Sequence, residues 1–420
     1  FDVPELLQLD YGTSLVLTIM VIGALGASYA ILGGLRAVAV SDTLNGVGLL
    51  VVGVAVPWLG LQALGEGSLG AGLNIVLTTE TQKLNAIGGP TDPTPFATLF
   101  TGMVFANLFY WCTNQYVIQR TLAARSLAEG QKGVLLSGFF KVLVPLLMMI
   151  PGVVAYHLYG PELQSIDLAY PQLVADVLPV YATGFFLAVL LGAVLSSFNS
   201  LINSASTLFC IDVYQPLIGR AVSDAEMVRV AKRVGLVMTG FSLLVAPLLQ
   251  FAAEGLWQVI RIFTGFYNIP MIAIVIIGLF TRQVPAVAAK VAIVFHIVAY
   301  GTFQFVLKDQ LPVHFLHLYA ILFVLEIVMM LAIGSWRPRR EEFAIRQIAE
   351  VDLTPWAYAQ PCALTLLSCV VALYVVFSPV GLVGDGSNLF APVLLGLLAL
   401  NVLFWFGWHR RLAAGLGVRA

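Results

Sequence analysis

Residues 192–214 read GAVLSSFNSLINSASTLFCIDVY, an apolar segment with an unusual density of small polar side chains. Six serines and threonines and two asparagines fall between Ser196 and Thr207. Small polar residues often hold membrane helices to one another. Adjacent hydroxyls beside a free carbonyl also suit a small hard cation, because such ions are held by several oxygens. The adjacent pair Ser196 and Ser197 favours the cation, since helix contacts normally recur every four residues.

The whole chain has the composition of an integral membrane protein. It contains 420 residues, of which 60% are apolar and 10% are charged, and its mean hydropathy is +0.94. Soluble domains carry roughly 25% charged residues, so this chain cannot cover a surface that faces water. The net charge of -1 argues against a nucleic-acid partner. The four cysteines show no metal-type spacing and imply no disulfide framework.

About eleven segments are long and apolar enough to cross a lipid bilayer as helices. They lie at residues 11–32, 38–65, 94–119, 133–159, 178–209, 230–252, 258–281, 286–307, 313–336, 362–379 and 387–409. Charged residues fall in the gaps, and arginine and lysine concentrate in every second gap. Because basic loops stay cytoplasmic, we predict an all-α polytopic protein of the cell membrane with its first residue outside and its C-terminus inside.

Some polar groups and helix breakers lie within these spans. Ionisable groups at membrane depth are costly, and for His296 and Glu326 we predict pairing or a lipid-edge position rather than a functional role. Transporter sites are often built where a spanning helix is interrupted. The segment RIFTGFYNIP (261–270) predicts such an interruption near one end of the seventh span. Pro145 and Pro151 predict a packing kink in the fourth.

Several segments together resemble the solute:sodium symporter family, and most closely its sodium/sugar cotransporter branch. They read YAILGGLRAVAVSD (29–42), ANLFYWCTNQYVIQRTLAAR (106–125), GFFKVLVPLL (138–147), GAVLSSFNSLINSASTLFCIDVY (192–214) and the TGFYNIP region with IIGLF (264–280). The second and fourth of these motifs are specific. The resemblance implies a LeuT-type fold with two inverted five-helix repeats around a midplane site, and a transporter rather than an enzyme.

The resemblance also implies how the single transmembrane transporter domain, residues 1–420, is divided. Residues 1–66 correspond to the end of the first repeat, residues 94–281 to the second five-helix repeat, and residues 286–420 to peripheral C-terminal helices. In the family, four further helices normally precede the one that corresponds to the first span. We therefore expect this chain to be N-terminally truncated and to lack the broken first core helix.

By motif position, the resemblance assigns a sodium site to the SSFNS segment. Its ligands are the hydroxyls of Ser196 and Ser197 and the carbonyl of Ala193, with Asp42 as an electrostatic partner of the ion. Sodium is therefore the expected coupling ion. Proton coupling through Asp42 or Glu326 is an alternative on the same fold.

The resemblance assigns a sugar-like solute to a second group of residues. Asn107 is expected to hydrogen-bond the solute and Tyr110 to stack on its ring, with Trp111 adjacent. Lys141 matches the family's sugar-contacting lysine, and Trp257 matches an aromatic gate. Such a set suits a ring with apolar faces and peripheral hydroxyls, because it combines an aromatic platform with a few polar groups.

Arg261 departs from the sugar branch, which typically has glutamine at this position. A guanidinium is a fixed cation with a forked set of donors, so Arg261 either selects an acidic sugar or binds an internal carboxylate. We therefore expect the import of a sugar or sugar-like solute with sodium. An anionic sugar, a polyol or another organic solute is the alternative.

Overall fold

The computed structural model describes residues 3–163, 166–219, 222–251, 256–308, 310–311, 313–339, 351–384 and 388–414. The side chains of residues 29–41 and 161 lie outside this description, which leaves only Asp42 of the 29–42 motif described in full. In the described part of the chain, regular structure is helical apart from one parallel bridge between Ser126 and Asp352. The prediction of an all-α fold is confirmed.

Fourteen helices of eight or more residues are labelled here in chain order. They are α1 (Tyr11–Leu64), α2 (Leu69–Thr78), α3 (Gly102–Cys112), α4 (Gln115–Leu122), α5 (Leu127–Val144), α6 (Ile150–Tyr159), α7 (Ala169–Val177), α8 (Val180–Leu208), α9 (Asp224–Val245), α10 (Leu256–Phe280), α11 (Ala286–Thr302), α12 (Phe315–Trp336), α13 (Ala359–Val376) and α14 (Phe390–Ala413). Wider π-helical turns continue three of them, at Pro145–Met149, Phe209–Tyr214 and Phe303–Leu307.

Ten helical segments among the described residues are long and apolar enough to cross a membrane. They are Tyr11–Ser28, Asp42–Leu64, Leu127–Tyr159, Val180–Ile218, Asp224–Phe251, Leu256–Phe280, Ala286–Leu307, Phe315–Trp336, Ala359–Val376 and Phe390–Ala413. Each corresponds to a predicted span. The segment at 94–119 differs, because there the chain forms a 3-10 turn (Phe96–Phe100) and the two short helices α3 and α4.

The chain divides into two compact units. The first unit comprises Phe1–Lys83 and Leu143–Leu256, and the second comprises Leu84–Val142 and Trp257–Ala420. These units are defined by which residues pack together. The division into repeats at residues 1–66, 94–281 and 286–420 is a different one and stays a prediction.

In the first unit, α1 packs closely along α8. Small residues permit this approach, since a Cβ on Gly192 would lie 2.3 Å from Asn45 Oδ1 and a Cβ on Gly48 would lie 2.6 Å from Val189 Cγ2. Small side chains at helix crossings are a general means of bringing membrane helices together. The close packing holds the polar part of α8 against the second half of α1.

In the second unit, the buried core lies among α3, α10, α11 and α12. Its members include Phe109, Ile269, Tyr300 and Met330. At Gly102 the backbone of α3 approaches α12 so closely that a Cβ would lie 1.7 Å from Leu316 O. This packing fixes the positions of α3 and α10, which carry most of the residues predicted to contact the solute.

The seventh predicted span is not interrupted, so that prediction was wrong. Helix α10 is continuous from Leu256 to Phe280 and includes Pro270. A proline cannot donate a backbone hydrogen bond and therefore normally weakens a helix. Here donors from neighbouring helices hold the preceding turns, because Tyr319 Oη donates to Arg261 O at 2.8 Å and Tyr300 Oη donates to Ile262 O at 3.1 Å.

Candidate functional site

The four residues predicted to bind sodium all lie in the first unit. Ala193, Ser196 and Ser197 occupy positions i, i+3 and i+4 of α8 and so share one face of the helix. The hydroxyl of Ser196 donates a short hydrogen bond to the carboxylate of Asp42 on α1. The structure therefore brings the acid from the 29–42 motif to the hydroxyl pair 154 residues later in the chain.

The donor set at this place fits a hard cation. Ser197 is exposed, and its hydroxyl makes no hydrogen bond within the described residues. Hydroxyl, carbonyl and carboxylate oxygens are the ligands that hard cations take in proteins. A cation at this place would meet the negative charge of Asp42 and the hydroxyl of Ser197. It would compete with the Ser196 hydroxyl for the carboxylate of Asp42.

The polar residues further along α8 have a different role. Asn203 Nδ2 donates to Asn199 Oδ1 at 3.0 Å, and Asn199 is fully buried. Gly235 on α9 faces Ser206, whose buried hydroxyl has no partner within the described residues. This part of the segment contributes to helix packing, and the sodium site at Ala193, Ser196 and Ser197 stays a prediction.

The predicted solute residues all lie in the second unit. Lys141 Nζ on α5 lies 4.7 Å from the ring centroid of Trp111 on α3, which places the ammonium over the aromatic face. The rings of Tyr110 and Trp111 meet edge to face at 4.9 Å. Lys141 and Trp111 are both exposed, and no carboxylate of the described residues lies within ion-pair distance of Lys141. These three side chains form an accessible aromatic and cationic surface.

Asn107 lies one turn before this surface on the same face of α3, because positions 107, 110 and 111 are spaced i, i+3 and i+4. Its Nδ2 donates to Met103 O at 2.9 Å. Its amide oxygen has no hydrogen-bond partner among the described residues and remains an acceptor for a hydroxyl. Asn107 is exposed, in keeping with an accessible polar group.

A helix break next to this surface was not foreseen from the sequence. Between α3 and α4, Phe109 O accepts hydrogen bonds from both Thr113 N and Asn114 N at 3.0 Å, and from Thr113 Oγ1 at 2.9 Å. Across the break, the hydroxyls of Tyr110 and Tyr116 share a short hydrogen bond. The signal was the polar run CTNQ (112–115), since threonine and asparagine compete for backbone hydrogen bonds.

Arg261 lies on α10 with Trp257 one turn earlier on the same face. Its Nη1 donates to Thr94 Oγ1 at 2.8 Å, and lies 3.3 Å from Pro93 O and 3.4 Å from Gln258 Oε1. No carboxylate of the described residues lies within ion-pair distance of Arg261. Of the two predicted roles, an internal ion pair is therefore not realised within the described chain.

His296 and Glu326 form a fully buried pair, as the prediction of pairing anticipated. His296 Nδ1 lies 2.5 Å from Glu326 Oε1, and His296 Nε2 lies 3.0 Å from Gly265 O. A carbonyl only accepts, so Nε2 carries a proton, and a second proton lies between Nδ1 and the carboxyl group. The pair therefore holds two protons and has no net charge.

The sequence and the fold of this chain are similar to those of known proteins. The sequence profile of the sodium:solute symporter family matches residues 3–295. The uncharacterized symporter YidK of Escherichia coli (strain K12) is 41% identical over 413 residues, which cover 98% of this chain and 72% of that protein. The sodium/glucose cotransporter of Vibrio parahaemolyticus is 29% identical over 352 residues, which cover 78% of this chain and 64% of that protein. The chain thus spans less than two thirds of the Vibrio protein.

A solved structure has the same fold. It shows a Na+-coupled sialic acid symporter in a substrate-bound outward-open state, and it matches with a TM-score of 0.66 at 20% identity, covering 79% of this chain and 68% of that chain. At this identity the similarity concerns the fold alone. The predicted LeuT-type fold is confirmed.

Proposed function

Because the chain belongs to the sodium:solute symporter family, we propose that it imports a small sugar-like solute together with sodium by alternating access. The family consists of transporters rather than enzymes, and its coupling ion is sodium. The observation that carries the proposal is the hydrogen bond between Ser196 and Asp42, which places a carboxylate beside the two hydroxyls of the sodium motif.

Sodium would be held by Ala193 O and the hydroxyls of Ser196 and Ser197, with Asp42 compensating its charge. Moving one charge across the membrane supplies about 2.3 kcal/mol per 100 mV, and the chemical gradient adds to this. The ion drives accumulation only if it favours the state that binds solute, since coupling requires that both ligands bias one conformational equilibrium.

The solute would contact the exposed surface of Tyr110, Trp111 and Lys141. An aromatic face complements the apolar CH groups of a sugar ring, and the ammonium and the amide of Asn107 complement its hydroxyls. Trp257 is 71% exposed and offers a second aromatic face on α10.

Uptake into proteoliposomes tests the sodium site. We expect accumulation with an inward sodium gradient and none when choline replaces sodium at constant pH. Replacing both Ser196 and Ser197 with alanine should abolish the sodium dependence. Ser206→Ala is the matched control on the same helix, because the buried hydroxyl of Ser206 has no hydrogen-bond partner among the residues that the structure describes. Full uptake in choline at constant pH would instead favour proton coupling through Asp42 or Glu326.

We also propose that the first residue lies outside the cell membrane and the C-terminus in the cytoplasm. Arg410 and Arg411 in the last turn of α14 support this orientation, since basic residues flank the cytoplasmic ends of spans. A cysteine introduced at Ala414 should react with a membrane-impermeant thiol reagent only after the membrane is opened. Labelling of intact cells at this position would contradict the orientation.

A further inference from the structure

The side chain of Arg261 is held at one edge and open at the other. Nη1 makes all the hydrogen bonds to oxygen, with Thr94, Pro93 and Gln258. Nη2 has only a sulfur contact, 3.8 Å from Met103 Sδ, and Nε has no hydrogen-bond partner among the described residues. Nε is not fully buried, so the edge formed by Nε and Nη2 keeps N–H donors that no oxygen of the described residues satisfies.

The open edge has the geometry of a carboxylate receptor. Nε and one Nη hydrogen of a guanidinium point in parallel and match the two oxygens of a carboxylate. The hydrogen bonds from Nη1 to Thr94 and Pro93 tie the guanidinium group to the loop before α3. They therefore fix the orientation of the guanidinium group before a ligand binds. Phe315 adds a fixed contact, with its ring centroid 5.6 Å from Arg261 Cζ.

Two histidines, His314 and His317, lie on either side of Phe315 at the start of α12. Thr101 Oγ1 and His317 Nδ1 lie 2.9 Å apart. His314 Nδ1 accepts a hydrogen bond from Leu316 N at 3.3 Å, so its proton lies on Nε2. Burial lowers the pKa of His314, and the nearby charges of Arg261 and His317 lower it further. His314 therefore adds no fixed positive charge beside Arg261.

The described surroundings supply little negative charge to balance this group. Asp92 lies in the same loop as Pro93 and Thr94, but its Oδ2 accepts a hydrogen bond from Gly89 N at 2.7 Å. The oxygens that contact Arg261 belong to a hydroxyl, a carbonyl and an amide, all of which are neutral. A partly buried cation without a carboxylate is costly, and an anionic ligand would remove that cost.

We propose that the open edge of Arg261 binds the carboxylate of the transported solute, which is therefore a sugar acid rather than a neutral sugar. This inference rests on the proposed function and specifies its solute class. Trp257, on the same face of α10, offers an aromatic surface beside the carboxylate.

The test measures binding to the intact purified symporter by thermal stabilisation in saturating sodium. The probes are matched pairs that differ only in the carboxylate: D-glucuronate with D-glucose, D-galacturonate with D-galactose, and D-gluconate with D-glucitol. We expect an acid to bind at least about tenfold more tightly than its neutral partner, because a bidentate charge-assisted pair is among the stronger polar contacts. Arg261→Gln should remove this preference, and Arg261→Lys should retain part of it.

Thr94→Val separates recognition from anchoring, since it removes the strongest contact of the held edge and leaves the charge in place. The proposal predicts that this variant keeps its preference for the acid. Equal binding of the acid and neutral probes, binding of no acid, or loss of preference in Thr94→Val as complete as in Arg261→Gln would each overturn it. If sodium alone stabilises the protein but no acid preference appears, only this inference fails. If no probe and no sodium response is seen, the proposed function fails as well.

Discussion

The two units carry candidate sites of opposite chemistry. The first unit offers small oxygen ligands and one negative charge at Asp42, whereas the second offers aromatic faces and two cations, Lys141 and Arg261. An ion requires several oxygens at close range, while an organic solute requires contact area and a few directional polar groups. The proposed ion and solute sites thus lie in different units, and we expect variants in one unit to leave the intrinsic ligand preference of the other unchanged.

The largest effect, a loss of stability, is expected from disrupting the buried pair of His296 and Glu326 in the second unit. Glu326→Leu leaves His296 without its partner and should lower the free energy of unfolding by about 3–5 kcal/mol. Glu326→Gln should lower it by less than about 1 kcal/mol, because the amide can donate to His296 Nδ1 while Nε2 keeps its bond to Gly265. Thermal unfolding in detergent measures both variants. Equal loss in the two would show that the carboxyl charge, rather than the hydrogen bond, stabilises the pair.

The next effect concerns the first unit. Asp42→Ala should raise the sodium concentration for half-maximal uptake about 100-fold, because it removes the only carboxylate hydrogen-bonded to the hydroxyl pair within the described residues. Solute affinity at saturating sodium should change by less than about twofold. Sodium titrations of uptake measure the first quantity and solute titrations the second. A large change in solute affinity would contradict the assignment of separate roles to the two units.

A smaller effect is expected at the aromatic surface. Trp111→Leu removes the face under Lys141 Nζ and should weaken solute binding about tenfold, as expected for the combined loss of stacking and cation–π contact. The sodium dependence should not change. Trp336→Leu is the control, because that tryptophan is also exposed but lies at the end of α12. Equal losses in both variants would indicate a general effect of tryptophan removal.

The smallest effect is expected at the helix break. Tyr116→Phe removes the hydroxyl that bonds Tyr110 across the break and should weaken solute binding about fivefold, in line with roughly 1 kcal/mol for a neutral hydrogen bond. Tyr181→Phe is the control, since its ring is exposed in the first unit. Competition of unlabelled against labelled solute measures the change. Unchanged affinity would mean that the break needs no support from the tyrosine pair.

The sequence predicted the spans well, because length and hydropathy are properties of a segment by itself. The proximity of Ala193, Ser196 and Ser197 was also predictable, since they belong to one turn and helical spacing alone places them together. Their contact with Asp42 depends on tertiary packing, and only the resemblance to a family indicated it. The site roles themselves remain proposals.

The helix breaks could not be placed from the sequence, because their positions depend on neighbouring helices. Pro270 is the stronger breaker by local preference, yet α10 continues through it. The polar residues Thr113 and Asn114 are weaker breakers, yet the helix ends there. Likewise, the charge of Arg261 indicated an anionic partner. Its neutral contacts with Pro93 and Thr94 could not be predicted, because they come from a loop whose conformation is not determined by its local sequence.

The supports along α10 determine where that helix can bend. Side chains of α11 and α12 donate hydrogen bonds to the carbonyls of Arg261, Ile262 and Gly265, so the first turns of α10 are tied to those two helices. Beyond Gly265, Pro270 has no N–H to offer Phe266 O, and the helix is least resistant there. If α10 bends during transport, we therefore expect the bend between Phe266 and Pro270, which would leave Arg261 with the turns that α11 and α12 support.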